Sequence, residues 1–332
     1  MSLRSRTAHN SSTEFKSDVV KVNVGVPQGS ALAPTLFLMY INDMPDILDA
    51  DCSSALYADD TSIIMSHSDD RALAGKCNSN LERMLSWYSQ NSLYLNINKT
   101  GYIRFHNHQK SVQKIHISIN NVEIQQKTSA KFLGVHLDEH MSWTEHCRSL
   151  VAKLNSFCYL FRNLRCILNT AQLITVYRAH IDSRLRYGIT FWGSSTGISE
   201  VLICQKRVLR CLAGVKPRTS CRPIFKSLKL LTVVSLYIFE LAVYIHKNKD
   251  CYTRHSELHG FDTRNRENFC IQFKRLNVSI RHADIMGLKI YNKLPKALKS
   301  DLSLNTFKNN LRTLLLENTV YSMEEFFALF LG

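Results

Sequence analysis

Near residue 140 the spacing of apolar residues changes, and the two sides predict different kinds of structure. Before it, short runs alternate with turns. Ser17 to Val24 is strand-like, and Gly25-Val26-Pro27-Gln28-Gly29-Ser30 follows as a turn-rich loop. Ser30 is placed to cap a mostly apolar helix over Ala31 to Asn42, closed by Asp43-Met44-Pro45. Ala55 to Tyr57 and Ser62 to Met65 read as the strands of a hairpin with Asp59 and Asp60 in its turn. A helix starts near Ser68 with Asp69 and Asp70 in its first turn, where the helix dipole favours negative charge. Its apolar positions Leu73, Cys77, Leu81, Met84, Leu85 and Tyr88 follow helical spacing and face a core. Short strands are predicted at Leu93 to Asn96, Gly101 to Phe105 and Phe132 to Asp138. A hairpin is predicted around Asn120-Asn121, because Asn tolerates positive φ.

From Trp143 onward the spacing is helical. Cys147, Leu150, Val151, Leu154, Phe157, Cys158 and Phe161 make one face. The longest apolar stretch, Leu230 to Ile245, is 16 residues and contains Glu240, so it is short for a bilayer span and reads as a buried helix. The chain is therefore expected to be α+β: mixed sheet and helix over residues 1–140, mainly helical over 141–332.

Charge divides at the same place. Residues 1–140 hold 13 basic and 14 acidic residues, a net −1, whereas residues 141–332 hold 29 and 13, a net +16, so the helical half carries all of the net charge of +15. Between Val201 and Phe239 there are eight basic residues and no acidic one, including Lys206, Arg207, Arg210, Lys216, Arg218 and Arg222. So uneven a distribution favours contact with a polyanion over an ordinary solvated surface. At 332 residues with 45% hydrophobic content the chain has enough apolar material for about two domains. Ten scattered cysteines and a polar stretch from Met1 to Asn23 point to reduced thiols inside a cell, with no membrane segment.

Candidate chemistry starts from Asp59 and Asp60. Two carboxylates about 4 Å apart repel by roughly 4 kcal/mol at an effective dielectric near 20, and a divalent cation relieves that repulsion. An ordinary acidic turn is the competing reading. Cys251, His255, His259 and Cys270 have donors that suit zinc, with a spacing unlike the compact cysteine–histidine knuckle. His106 and His108 alternate on a predicted strand without further support.

Four segments in order carry a resemblance: Gly25-Val26-Pro27-Gln28-Gly29-Ser30 with Pro34 and Phe37, Tyr57-Ala58-Asp59-Asp60, Asn96-Ile97-Asn98-Lys99-Thr100, and Phe132-Leu133-Gly134-Val135. Together they resemble the later palm motifs of reverse transcriptases, in particular those of jockey-type non-LTR retrotransposons. Trp143, the basic run Arg148 to Arg165, and Tyr187 to Gly193 look like the downstream region of that subgroup. The resemblance implies a partial right-hand polymerase palm over 1–140 and a basic helical thumb and C-terminal region over 141–332. It implies RNA-directed DNA polymerase chemistry with Mg²⁺, Asp59 as metal ligand and Asp60 supporting it. Gly25, Pro27, Gln28, Gly29 and Tyr57 would lie beside the nucleotide and template. Lys99 would neutralise or protonate the leaving pyrophosphate. Phe132, Leu133 and Gly134 would form a primer-side hairpin, and Lys206, Arg207, Arg210, Lys216, Arg218 and Arg222 would track the duplex. The implied partners are an RNA template, a DNA primer and deoxynucleotides; the implied location is the nucleus.

The family also places a second metal-binding carboxylate upstream of the Gly25 loop, in a segment that Glu14 and Asp18 do not match. The expectation is a truncated polymerase, inactive alone unless another chain supplies the missing part. The alternatives are a nucleic-acid-binding remnant without catalysis and a nonfunctional relic.

Overall fold

The computed structural model describes residues 7–10, 13–16, 25, 29–106, 114–258, 266–299 and 303–330. The strand expected over Ser17 to Val24 lies outside the described residues. They form two compact units, Met1–Tyr102 with Ser111–Gln126, and Ile103–Lys110 with Lys127–Gly332.

In the first unit β1 (Thr7–Asn10) pairs antiparallel with β2 (Thr13–Lys16). Helix α1 (Ala33–Ile41) begins later than its sequence suggests: Ser30 Oγ accepts the Leu32 N–H at 3.3 Å, and the residue before the helix supplies no side-chain cap. Pro34 sits in the first turn, where its missing N–H has no helical partner to lose. A 3₁₀ turn, Met44–Ile47, leads to β3 (Ser53–Tyr57) and β4 (Asp60–Ile64).

Helix α2 (Asp70–Gln90) is the spine of this unit. Asp69 is its cap rather than a member of its first turn, and its Oδ2 accepts the Ala72 N–H at 2.8 Å. Met84 and Trp87 bury against Ile41 and Met44, with Leu56 and Ile63 of the hairpin laid over them. Cys77 faces a second cluster with Ile115, Ile117, Ile119 and Ile124. Between the two clusters Asn80 is fully buried. Its Nδ2 donates to Asp49 Oδ2 at 2.7 Å and to the Lys76 carbonyl at 2.9 Å, and its Oδ1 accepts the Asp49 N–H at 3.0 Å. A polar residue in an apolar stripe is tolerated because every group it buries is paired.

The remaining strands of this unit are short. β5 (Gly101–Tyr102) runs parallel to β8 (Gln125–Gln126), while β6 (Ser118–Ile119) and β7 (Val122–Glu123) form a hairpin. Its turn residues Asn120 and Asn121 have φ of 49° and 63°, as a mirror-image two-residue turn requires. Leu93 to Asn96 forms no strand. Leu93 and Leu95 alternate inward as a strand would, but no strand pairs with them, and the Leu93 N–H instead donates to the Tyr88 carbonyl at 2.8 Å.

In the second unit β9 (Ser129–Phe132) and β10 (Val135–Asp138) form a hairpin, so the run read as one strand turns back on itself at Leu133-Gly134. Helix α3 (Thr144–Leu164) buries Cys147, Leu150, Leu154, Cys158 and Phe161, the face its spacing predicts. After α4 (Thr170–Tyr177) the chain widens into a π turn, Arg178–Asp182, and continues as α5 (Ser183–Arg186) and α6 (Ile189–Trp192). Then come α7 (Ile198–Ala213), α8 (Arg222–Ser227) and α9 (Val233–Lys247). Three further helices of six residues or more are α10 (Ala283–Lys293), α11 (Leu304–Asn318) and α12 (Met323–Ala328).

Helix α9 is the apolar stretch expected to be buried, and it packs against α5, α6, α7, α10 and α11. Gln205 of α7 fixes its start: Nε2 donates to Tyr177 Oη at 2.9 Å and to the Leu231 carbonyl at 3.0 Å, and Oε1 accepts the Val233 N–H at 2.8 Å. Glu240 meets Arg186, and His246 Nδ1 lies 3.0 Å from Tyr291 Oη. Gly193 is required by packing, since a Cβ there would lie 2.2 Å from the Tyr237 ring and 2.6 Å from the Ile189 carbonyl. All ten cysteines are free thiols. Among the described residues no helix is long and apolar enough to cross a membrane.

His146 is the buried polar residue of α3 with an unmet need. Its Nδ1 accepts the His136 N–H at 3.4 Å, and its Nε2 has no partner. Burial first, then His136 and Lys153, lower its pKa to about 4. The unfolded chain takes up this proton below its ordinary value of 6.5, whereas the folded chain resists until about 4. The associated stability is complete above pH 6.5 and declines as pH falls toward 4, by up to about 3 kcal/mol. Urea unfolding at pH 7 and pH 4.5 should therefore show a smaller acid loss for His146→Leu than for the unaltered chain; equal losses would contradict this role.

Candidate functional site

The β3–β4 hairpin determines where the acidic pair sits. Tyr57 pairs with Asp60 across the strands, leaving Ala58 and Asp59 as a two-residue turn. Ala58 carries a φ of 52°, the left-handed value that such a tight turn demands at its first position. Asp59 is thus in the turn as expected, while Asp60 opens β4. Tyr57, Asp59 and Asp60 are all exposed; consecutive strand residues point to opposite faces, so the two acids can approach one ion only because the chain turns here. Below the tip the hairpin is anchored: Tyr88 Oη of α2 donates to Thr61 Oγ1 at 3.2 Å, over the apolar contact of Leu56 and Ile63.

The acids offer hard oxygen donors of the kind that suit a divalent cation such as Mg²⁺. Among the described residues no third metal-ligating side chain completes a group with them. Asp49, Asp51 and Cys52 do converge, but at the other end of β3, where Arg83 and Lys76 pair with the two carboxylates. Those two ion pairs hold the Asp49 and Asp51 carboxyls below their usual pKa, through hydrogen bonds from Arg83 and Lys76 respectively.

Of the loop expected beside the nucleotide, Gly25 and Gly29 are described, and Pro27 and Gln28 lie outside the described residues. Gly25 and Gly29 have φ of 93° and 84°, and a Cβ at either would meet nothing within 4 Å. Backbone conformation, not crowding within the chain, therefore asks for glycine at both. Lys99 is exposed in a turn whose backbone is held by Asn96, with the Lys99 N–H 3.2 Å from Asn96 Oδ1. It forms no ion pair with Asp59 or Asp60 among the described residues.

In the second unit Leu133 and Gly134 are the turn of the β9–β10 hairpin, with φ of 44° and 88°. Phe132 ends the strand before it. Tyr187 braces this tip, donating its hydroxyl to the Leu133 carbonyl and laying its ring 3.3 Å from where a Gly134 Cβ would stand. Tyr187 thereby joins two segments that sequence spacing shows only as separate motifs.

The basic residues after Val201 differ in their partners. Lys206 and Arg222 flank Tyr321, with Nζ 3.7 Å and the guanidinium 4.3 Å from the ring centre. Arg222 also meets both oxygens of Glu325 at 2.9 and 3.0 Å. Arg207 donates to Asn155 Oδ1 at 2.8 Å, and Arg210 to the Thr219 carbonyl at 2.9 Å. Lys216 and Arg218 are exposed beyond α7.

A second basic locus was not legible beforehand. The π turn brings Arg178 and Asp182 beside Arg186 and Arg312 around a cavity of about 380 Å³ floored by Leu230 and Leu231. Burial, then Arg186 and Arg178, lower the Arg312 pKa while Asp182 opposes the shift. Arg186 is paired there with Asp182 at 2.8 Å and with Glu240, and Arg312 donates to the Lys229 carbonyl at 3.0 Å. Of the Cys251, His255, His259 and Cys270 series, His259 lies outside the described residues, and the other three form no ligating group.

Residues 3–137 match the family described as reverse transcriptase (RNA-dependent DNA polymerase). The sequence is 27% identical over 243 residues to the RNA-directed DNA polymerase from mobile element jockey of Drosophila melanogaster, covering 69% of this chain and 26% of that protein. It is 26% identical over 220 residues to the probable RNA-directed DNA polymerase from transposon X-element of the same species, covering 64% and 24%. It is also 26% identical over 227 residues to the one from transposon BS, covering 64% and 25%. The chain spans about a quarter of the length of these curated relatives. No solved structure matches it.

Removing the Tyr187 hydroxyl should loosen the β9–β10 tip without unfolding the helices. Tyr187→Phe is expected to cost about 0.5–1.5 kcal/mol. Hydrogen exchange should accelerate over residues 129–138 and stay unchanged in α9, and an unchanged hairpin would refute the bracing role.

Proposed function

We propose, from a chain whose residues 3–137 belong to the reverse transcriptase family and whose relatives are RNA-directed DNA polymerases of jockey-type non-LTR retrotransposons, that it serves as the late-palm and thumb portion of such a polymerase. The observation that carries this reading is the exposed Asp59-Asp60 pair at the tip of an anchored hairpin inside the matched residues. Asp59 would hold a divalent cation, with Asp60 supporting it, and Mg²⁺ suits the oxygen donors. A cation there supplies charge neutralisation for transfer of a nucleotidyl group.

Around this centre the other residues have distinct tasks. Gly25, Pro27, Gln28 and Gly29 with Tyr57 line the nucleotide and template side, where open space beside Gly25 and Gly29 admits a close ligand. Lys99, exposed on its turn, supplies a proton or positive charge to the pyrophosphate. Phe132, Leu133 and Gly134 support the primer. Lys216 and Arg218 contact the duplex phosphates, whereas Lys206 and Arg222 shape that surface through Tyr321 and Glu325.

A further polymerase segment belongs to the working assembly. Leu32, Leu36, Leu38 and Met39 on and beside α1 expose 68%, 49%, 52% and 71% of their surface, and Tyr57 and Ile64 of the hairpin expose 65% and 64%. Such an apolar surface calls for a covering partner. That segment would bring the remaining metal ligand.

A primer-extension assay with RNA template and Mg²⁺ tests the catalytic part. Incorporation is expected when the upstream polymerase segment of a jockey-type relative is added in trans. Asp59→Asn should then lower it roughly a hundred-fold or more. Equal incorporation by both chains would remove Asp59 from the mechanism. Duplex binding tests the basic surface. Affinity should fall steeply with salt, and replacing both Lys216 and Arg218 by Ala should reduce the log–log slope by about 2. A slope unaltered by that double replacement would take both residues out of the interface.

A further inference from the structure

We propose that His106, Glu139 and His140 form a zinc-binding site in the second unit, apart from every residue used by the polymerase reading. His106 and Glu139–His140 lie on either side of the strands β6 to β10 in the sequence, and the fold holds them together. The His106 N–H donates to the Glu139 carbonyl at 3.2 Å. One ligand atom from each of the three side chains lies within 4.8 Å of the others.

The tautomer of His140 follows from its partner. Its Nδ1 lies 3.1 Å from the His106 carbonyl oxygen, which only accepts, so Nδ1 carries the hydrogen. In the neutral ring the lone pair is then on Nε2, which lies 3.7 Å from Glu139 Oε1. His106 Nε2 approaches the other carboxylate oxygen, Oε2, at 3.6 Å. Both separations exceed a hydrogen bond, so a proton shared along either line binds neither pair well. Each is close to the roughly 3.4 Å edge of a tetrahedron with metal–ligand bonds of about 2.0–2.2 Å, but they end on different carboxylate oxygens, so one ion is reached by a turn of the carboxylate or by both of its oxygens. A ring N–H held by a backbone carbonyl is also the outer support that a metal-bound histidine uses.

The surroundings restrain the ligands before any ion arrives. Asp138 Oδ1 accepts the N–H groups of His140 and Ser142 at 3.1 and 3.0 Å, and Oδ2 accepts the Trp143 N–H at 2.9 Å. These bonds fix the backbone that carries Glu139 and His140 between β10 and α3. The three side chains are only 19–23% exposed, and the two imidazoles meet edge to face with centroids 4.6 Å apart. Two imidazoles and one carboxylate suit zinc better than magnesium, and leave a fourth position for water or a further ligand.

The test uses the whole chain without a histidine tag, stripped with a chelator and titrated with zinc in competition with a chromogenic chelator. One tight equivalent is expected, and cobalt in its place should give the visible absorption of a tetrahedral site. Glu139→Gln, which keeps size and shape, and His140→Ala should each weaken that equivalent at least tenfold, while Asp59→Asn and Cys251→Ser leave it intact. Circular dichroism melting should show zinc raising the Tm of the unaltered chain and not of Glu139→Gln. The proposal is overturned if the stripped chain takes up no zinc against the chelator. It is equally overturned if Glu139→Gln, still folded, retains the equivalent at full affinity, or if Cys251→Ser abolishes it.

Discussion

Helix α9 has to be kept from water, and the second unit is arranged to do so. Of its fifteen residues, ten are buried, on more than one face. A helix apolar on more than one side is stable only when surrounded. Here α5, α6, α7, α10 and α11 surround it. That enclosure demands polar bookkeeping at its ends and flanks, which Gln205, Thr232 and the Arg186–Glu240 pair supply. It also forces Gly193, where any side chain would enter the Tyr237 ring. Functional features at the surface of this unit inherit their positions from the enclosed helix. The Arg186 that helps line the arginine cavity is the same residue that meets Glu240 of α9.

The first unit is built on a weaker principle. Its sheets among the described residues are all two-stranded, and isolated pairs of strands have little stability of their own. The β3–β4 hairpin is held by α2 through Leu56, Ile63 and Tyr88, which keeps Asp59 and Asp60 presented at a defined tip. The apolar side chains left open on α1 belong to the same economy: this unit has surface that its own residues do not cover.

Positive charge in the second unit divides into structural and available parts. Lys206 and Arg222 are fixed against Tyr321, and Arg222 is neutralised by Glu325. Lys216 and Arg218 remain exposed, and the π turn gathers further arginines, of which Arg186 is paired with Asp182 and Glu240. Counting basic residues along a segment therefore does not show which of them are paired and which are exposed.

What the sequence determined by itself was local. Helical spacing found the buried faces of α2 and α3, the length and composition of Leu230 to Ile245 found α9, and Asn120-Asn121 found its hairpin, because each depends on residues a few positions apart. Motif order also led to the family. Apolar alternation misjudged Leu93 to Asn96 and read Phe132 to Asp138 as one strand, since it cannot show whether a partner strand exists or where the chain reverses; only the resemblance placed a hairpin at Phe132 to Gly134. Tertiary structure alone decided which side chains meet across long separations: Tyr187 with Leu133, Arg222 with Glu325, and His106 with Glu139 and His140. Such contacts are set by how packed elements close loops in space, and no local periodicity encodes that closure.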